Sequence, residues 1–203
     1  MKKVGVILAR LQPVHKGHLA LIEKSIKEND ETYIFVGSAD KFNQRNPIPI
    51  GLRIQLLRGA IEESFPDFQW RDAYNNYGDG QRTITIVPLD DLSNENENDH
   101  EWGFYLYSNI VSASGSPNFT MYYSDGFEII TSWFPGFILR NNVSLNLIAR
   151  NTMEEGISAT AVRDAIMNED INLLQKYVTK NVIDMRESIY NHILIARMVK
   201  SEL

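Results

Sequence analysis

The sequence predicts an α/β fold with a mostly parallel sheet, flanked by helices and followed by a helical C-terminal segment. Short apolar or β-branched runs alternate with longer segments of helical periodicity, which is the pattern of strands joined by crossover helices. Beyond residue 160 only the helical periodicity continues. A length of 203 residues suits one domain, for which we expect an α/β core at 1–156 and a helical segment at 157–203.

The strands and helices are predicted in alternating order. The β-branched run that begins at Val4 predicts the first strand. Strands are predicted at 4–9, 32–36, 83–87, 119–123 and 144–149. Helices are predicted at 19–26, 52–64, 102–111, 161–167, 171–178 and 182–199. Two polar stretches, 74–81 and 90–99, are predicted to be exposed loops, and a mobile lid beside Trp102 is the alternative for the second.

Three loops of this predicted sheet should lie along one edge. Right-handed crossovers bring the carboxyl ends of parallel strands to the same edge, where open α/β sheets bind their ligands. The turn at 15–18 follows the first strand, Gly37 and Ser38 follow the second, and Ser124 and Asp125 follow the fourth. We therefore expect these loops to form a binding site.

The turn after the first strand has the sequence His15-Lys16-Gly17-His18 and stands just before a predicted helix. A helix N-terminus offers free N–H groups and the positive end of the macrodipole, which suit a polyphosphate. Gly17 lacks a Cβ and lets a phosphate approach the backbone, and histidine is neutral or cationic near neutral pH. The alternative is a surface pair or a capped helix start. A zinc site is disfavoured because the chain has no cysteine and its two other histidines lie far along the sequence.

Composition narrows the class of protein. A net charge of −6 argues against a general nucleic-acid binder, so a phosphate site would need a local group of cations. Such a group can draw on Arg10, Lys16, Lys41, Arg45, Arg53 and Arg163. The absence of cysteine suits a cytoplasmic protein, and no apolar run is long enough to predict a membrane span. The apolar run at the N-terminus stops at Arg10 and indicates a strand rather than a signal peptide.

Two stretches of the chain resemble the signatures of one family. The first is R-L-Q-P-V-H-K-G-H at 10–18, and the second is G-I-S-A-T-A-V-R at 156–163. Together they resemble the nucleotidylyltransferase superfamily, with its H-x-G-H turn and its late I-S-x-T-x-x-R. The resemblance is closest to nicotinamide mononucleotide adenylyltransferases of the archaeal type and of the bacterial type fused to a Nudix hydrolase. Ala9 and Leu11 stand where the first motif usually has Gly and Phe.

Shorter matches extend the resemblance through most of the chain. They are V-G-S-A at 36–39, N-P-I-P-I-G-L-R at 46–53, D-H-E-W at 99–102 and Y-S-D at 123–125. Leu52 stands where an acid is common in the second of these. The resemblance implies a Rossmann-like sheet, and members of this superfamily are often oligomeric. It also implies adenylyl transfer from ATP, with its Mg²⁺, to nicotinamide or nicotinate mononucleotide. Such a transfer relies mostly on positioning and charge stabilisation.

The resemblance also implies roles for individual residues. The catalytic group is His15, His18 and Arg163. The ATP-binding group is Arg10, Gln12, Lys16, Gly17, Ser158, Thr160 and Arg163. The mononucleotide-binding group is Gly37, Ser38, Asn46, Arg53 and Trp102, and no protein ligand is expected for the metal.

Several alternatives stay open at this level. Lys16 suits a solvated lysine equally well, the segment 158–160 suits a simple helix N-cap, and Trp102 suits a core position. Another phosphorylated acceptor is an alternative substrate, since cytidylyltransferases share the H-x-G-H turn. The second signature matches theirs only in half, however, because it lacks their Arg-Thr. A nucleotide-binding regulatory module without turnover is the alternative from outside the enzyme class. The sequence does not decide between nicotinamide and nicotinate, and it does not show whether a Nudix domain is associated.

Overall fold

The computed structural model describes residues 2–70, 76–92, 99–125, 129–149 and 156–199. The strands are β1 Val4–Ala9, β2 Glu31–Val36, β3 Gln69–Trp70, β4 Asn76–Gly78, β5 Thr83–Pro88, β6 Phe119–Ser124 and β7 Val143–Ile148. The helices are α1 Lys16–Glu28, α2 Ile50–Ser64, α3 Asp99–Ser114, α4 Ile130–Trp133, α5 Gly136–Asn141, α6 Ala159–Met167, α7 Ile171–Tyr177, α8 Lys180–Asp184 and α9 Arg186–Met198.

A mostly parallel sheet forms the centre of the described structure, as predicted. Its strand order is β3-β4-β5-β2-β1-β6-β7. The five strands from β5 to β7 are parallel, with Val4 opposite Glu31 and Ala9 opposite Val36 in the central pair. β1 and β2 are buried over most of their length, which is typical of parallel strands covered by helices on both faces.

Each face of the sheet carries its own hydrophobic core. Neighbouring residues on a strand point to opposite faces, so Ile34 joins one core and Phe35 the other. The first core is shared by α1, α2 and the C-terminal helices α6 to α9. The second is shared by α3, α4 and α5. No helix in the described ranges is both long enough and apolar enough to span a membrane.

The loop prediction over 74–81 is wrong for residues 76–78. These residues form β4, which pairs antiparallel with β5 and with the two-residue strand β3. Tyr77 has no exposed surface, and its hydroxyl donates to Glu62 at 3.3 Å. Because the strand has only three residues and lies among Asn and Gly residues, it lacks the alternating run from which strands are recognised.

The helical C-terminal segment is present, but its last part differs from the prediction. A single helix at 182–199 is wrong, because the chain forms α8 and then α9 with a break at Met185. The short helices α4 and α5 were not predicted either. Both lie in the core that α3 shares, so tertiary packing supplies what four- to six-residue segments lack in intrinsic helix stability.

Candidate active site

A cavity of about 670 Å³ opens at the carboxyl edge of the sheet. It lies where the loops after β1 and β2 and the end of β6 meet the first turns of α1 and α6. The expected residues of this edge thus come together, except that Asp125 is not part of the lining. Its size is within the usual range for small-molecule sites. The predicted residues among its lining are Arg10, Gln12, His15, Gly17, His18, Gly37, Ser38, Trp102, Ser158, Thr160 and Arg163.

The two histidines lie against one another at the start of α1. His15 is the extended residue that precedes the helix, and its ring centroid is 3.7 Å from that of His18. The main-chain N–H of His15 donates to His18 Nδ1 at 3.2 Å. Burial and the neighbouring His15 hold the pKa of His18 well below 6.5, so the ring is neutral near pH 7. Because Nδ1 accepts a hydrogen bond, the single ring proton is on Nε2.

Arg163 connects the second signature to the first. Its guanidinium donates to the main-chain O of Gln12 at 2.7 Å and to Thr160 Oγ1 at 3.1 Å. Ser158 is the N-cap of α6, and its Oγ accepts from the main-chain N–H of Ala161 at 3.1 Å. The first turns of α1 and α6 therefore both face the cavity, and each offers N–H groups suited to an anion.

Gln12 has a buried side chain whose amide is used within the protein. Its Nε2 donates to the main-chain O of Ile48 at 3.1 Å, and its Oε1 accepts from the main-chain N–H of Ile48 at 2.8 Å. The residue lines the cavity, but its amide holds the 46–49 segment in place. Ala9 also lines the cavity, and its main-chain O accepts from Gly37 N–H at 3.1 Å.

Three predicted ligand residues lie outside the cavity lining. Arg53 is fully buried and bonds to main-chain carbonyls. Asn46 is buried in a turn, where its main-chain N–H donates to Asn43 Oδ1 at 2.9 Å. Lys16 is exposed and donates from Nζ to the main-chain O of Gln175 at 3.0 Å. Leu52 belongs to the hydrophobic core, so it replaces the usual acid without entering the cavity.

Trp102 both packs into the protein and faces the cavity. It is partly buried against the second core, and its ring centroid lies 5.9 Å from that of Trp133 in a near-perpendicular arrangement. Both indoles line the cavity. The close approach of α3 to α4 depends on Gly103, since a Cβ there would overlap the main-chain O of Trp133. The two alternatives for Trp102 therefore describe one residue with two surfaces.

Two charged residues of the cavity were not predicted as ligands. Arg45, named only among the candidate cations, lines the cavity beside Arg10. Asp91 lines it as well and accepts from Ser38 Oγ at 3.0 Å. Ser38 has a left-handed backbone with φ of 51°. Asp91 falls in the stretch 90–99 predicted to be a loop, but its position just after β5, at the same edge of the sheet, was a usable signal.

Comparison with known proteins gives one family. A family model described as cytidylyltransferase-like matches residues 9–165. A nicotinamide-nucleotide adenylyltransferase from Pyrobaculum aerophilum is 28% identical over 170 residues, covering 83% of this chain and 79% of that protein. One from Ignicoccus hospitalis is 34% identical over 84 residues, covering 41% of this chain and 42% of the relative. The aligned part thus spans less than half the length of the Ignicoccus relative.

A solved structure shares the fold. It is a bifunctional NMN adenylyltransferase/ADP ribose pyrophosphatase from Francisella tularensis, complexed with AMP and a manganese ion. The TM-score is 0.66 at 18% identity, with 96% of this chain and 52% of that chain covered. The likeness therefore extends over the sheet and the C-terminal helices of the present chain and over about half of the other.

Proposed function

Because this chain belongs to the cytidylyltransferase-like family, we propose that it transfers the adenylyl group of ATP to nicotinamide mononucleotide or its nicotinate analogue. In this reaction a 5′-phosphate oxygen of the mononucleotide bonds to the α-phosphorus of ATP. The bond from that phosphorus to the β-phosphate oxygen breaks, and pyrophosphate leaves. The observation that carries the proposal is the convergence of the two signatures on one cavity, joined by the bond from Arg163 to Gln12.

The donor half of the site is the edge formed by α1 and α6. His18 presents Nε2–H as a neutral donor toward the α-phosphate, where negative charge grows during transfer. The N–H groups at the start of α6, with Thr160, hold the β- and γ-phosphates. Arg163 neutralises the departing pyrophosphate with a planar fork of donors. His15 touches the phosphate chain beside His18.

The acceptor half is the side where Trp102 and Trp133 face the cavity. A pyridinium ring against an indole gains about 0.5–2 kcal/mol from stacking and cation–π attraction. Arg45 supplies positive charge for the mononucleotide phosphate, while Arg10, which lines the same cavity, keeps its assignment to ATP. Asp91 adds a carboxylate to the same cavity. It would repel the negatively charged carboxylate of a nicotinate ring but not the neutral amide of nicotinamide. We therefore expect nicotinamide mononucleotide to be preferred over the nicotinate form.

The metal ion enters with ATP in this proposal. Among the residues that the structure describes, no cluster of three or more His, Asp or Glu side chains could hold a metal ion. Mg²⁺ keeps several waters and binds nucleotide phosphates, so it needs few protein ligands. When bound with ATP, it would add positive charge beside the phosphates, while Arg163 neutralises the departing pyrophosphate. We propose the cytoplasm as the compartment of this reaction, which suits a chain without cysteine.

A pyrophosphate-release assay tests the proposal and its alternatives together. ATP and Mg²⁺ are supplied with nicotinamide mononucleotide, nicotinate mononucleotide, phosphopantetheine or phosphocholine as the acceptor. We expect release with the two pyridine nucleotides, faster with the nicotinamide form, and none with the other two. Release with a non-pyridine acceptor alone would overturn the acceptor assignment. Tight ATP binding without release from any acceptor would favour a regulatory module.

A further inference from the structure

Arg53 is the largest fully buried side chain of the described structure, and its partners are unusual for a buried cation. Its Nη1 donates to the main-chain O of Arg10 at 2.8 Å and to that of Gly37 at 2.7 Å. Its Nη2 donates to the main-chain O of Ser38 at 2.8 Å. All three acceptors are neutral carbonyl groups, and none is a carboxylate.

Such a burial is costly for a purely structural residue. A buried cation normally requires a paired anion and a full set of hydrogen bonds. Burial lowers the pKa of Arg53 to about 10, which still leaves the guanidinium charged at neutral pH. The carboxylates of Asp91 and Asp40 raise the pKa of Arg53 from a longer distance and so offset part of the effect of burial. The positive charge of Arg10 lowers this pKa further. The protein retains a full positive charge directly beneath an anion-binding cavity.

The three carbonyls belong to the two loops that form the floor of the cavity. Arg10 follows β1, while Gly37 and Ser38 follow β2, and all three residues line the cavity. Ser38 holds a left-handed backbone with φ of 51°, which a serine adopts only at an energetic cost. One rigid guanidinium on α2 therefore fixes the spacing of two loops and helps to hold the strained one.

We propose that Arg53 is a positioning residue for adenylyl transfer, which sets the side chains of Arg10 and Ser38 and adds fixed positive potential beneath the nucleotide. It acts through these loops and does not touch substrate. The inference rests on the proposed function. It also concerns nucleotide binding, which can be measured with an ATP analogue in the absence of turnover. Lysine retains the charge at this position but cannot reach three carbonyls with a planar fork.

The first test compares Arg53→Lys with a matched variant, Arg82→Lys. Arg82 is a partly buried arginine outside the cavity that bonds to Asp79 and to the main-chain O of Ile26. We expect turnover of folded Arg53→Lys to fall roughly 10- to 100-fold through misplaced loops, with a smaller change in the affinity for a non-hydrolysable ATP analogue. Arg82→Lys should keep wild-type kinetics. Equal turnover in the two variants would overturn the proposal.

The second test is a double-mutant cycle between Arg53→Lys and Arg10→Ala. If Arg53 acts by placing the Arg10 side chain, the fold-loss caused by Arg53→Lys should shrink in the Arg10→Ala background. Losses that multiply independently would show that Arg53 does not act through Arg10 and would contradict the positioning role. If Arg53 were merely structural, Arg53→Lys would lower the melting temperature in both backgrounds, and its fold-loss of turnover would be the same with and without Arg10→Ala.

A third measurement uses the wild-type protein and remains decisive if the Arg53 variants fail to fold. With ¹⁵N-labelled arginine side chains, the bonded Nη–H protons of Arg53 should give slowly rotating, resolved signals. These signals should shift when the ATP analogue binds, because its phosphates bring negative charge close to the guanidinium beneath the loops. Unshifted signals at saturating analogue would overturn the proposal. If analogue binding shifts the signals but no acceptor yields pyrophosphate, the proposed reaction fails, while the part of the inference that concerns nucleotide binding stands.

Discussion

Individual side chains in this site are set by the backbone around them as much as by their own chemistry. The motif predicted two histidines at a helix start, but not which ring nitrogen faces the ligand. That depends on the bond from His15 N–H to His18 Nδ1, which only the folded turn makes. For Arg53, the folded structure changes the role that the sequence predicted. Its type and position resembled a ligand residue, yet the structure buries it, because helix α2 packs with that face toward the loops.

Replacement of His18 tests its role as a donor to the transferring group. We expect His18→Ala to lower turnover by about 10²–10³, the usual cost of one lost preorganised donor, with little change in ATP affinity. The paired measurement is steady-state kinetics together with equilibrium binding of an ATP analogue. Lys24→Ala is the control on the same helix, since its Nζ pairs with Glu28 outside the cavity. A His18→Ala enzyme with near wild-type turnover would remove His18 from the mechanism.

The protonation state of His18 gives a pH prediction. Its pKa in the free protein lies well below 6.5 because of burial and the nearby His15. The neutral form, which the mechanism uses, therefore persists as the pH falls through 6.5 and is lost only at lower pH. The pH profile of kcat/KM for ATP should show no half-maximal point near 6.5. A fall with a midpoint at 6.5 would mean that His18 titrates as an ordinary exposed imidazole.

At the scale of whole elements, the sequence was most informative where a segment is long and buried. The five parallel strands were recognised with their bounds nearly correct, because β1 and β2 are buried apolar runs and β5 and β7 alternate apolar with polar residues. The hairpin of β3 and β4 and the short helices α4 and α5 carry too few residues for a period to emerge. α4 nevertheless brings Trp133 against Trp102 at the cavity.

The contact between α3 and α4 can be tested through Gly103. A Cβ at this position would overlap the main-chain O of Trp133, so Gly103→Ala should push the helices apart and cost about 1–3 kcal/mol of stability. It should also raise the KM for the mononucleotide more than the KM for ATP. Gly51→Ala is the matched control, because a Cβ there meets no atom within 4 Å. An unchanged KM for the mononucleotide in a folded Gly103→Ala protein would show that Trp133 does not contribute to the acceptor site.

At the scale of the whole molecule, an acidic chain concentrates positive charge at one edge of its sheet. The net charge is −6, yet Arg10, Arg45 and Arg163 all line the cavity. The sequence predicted such a local group of cations, but not its membership. Lys41, for example, pairs with Asp40 at 3.0 Å. Which cations belong to this group depends on which loops the topology brings together.

Self-association of the chain stays a prediction.

The two signatures lie far apart in sequence and meet only through the fold. Both were recognised from their residues, but the bond from Arg163 to the main chain of Gln12 required the C-terminal helices to pack beside α1. This contact brings two helix N-termini to one cavity, where we propose that the phosphates bind. The central claim is therefore that the joined signatures carry out adenylyl transfer, rather than hydrolysis or transfer of the terminal phosphate.

The most direct test of that claim follows a radioactive label from ATP. ATP labelled at the α-phosphorus is incubated with the protein, Mg²⁺ and nicotinamide mononucleotide, and the products are separated by chromatography. The account predicts that the label appears in a dinucleotide, with one pyrophosphate released for each molecule formed, and that His18→Ala forms it far more slowly. Label that stays in ATP, or that appears only in AMP while the mononucleotide remains unchanged, would contradict the account.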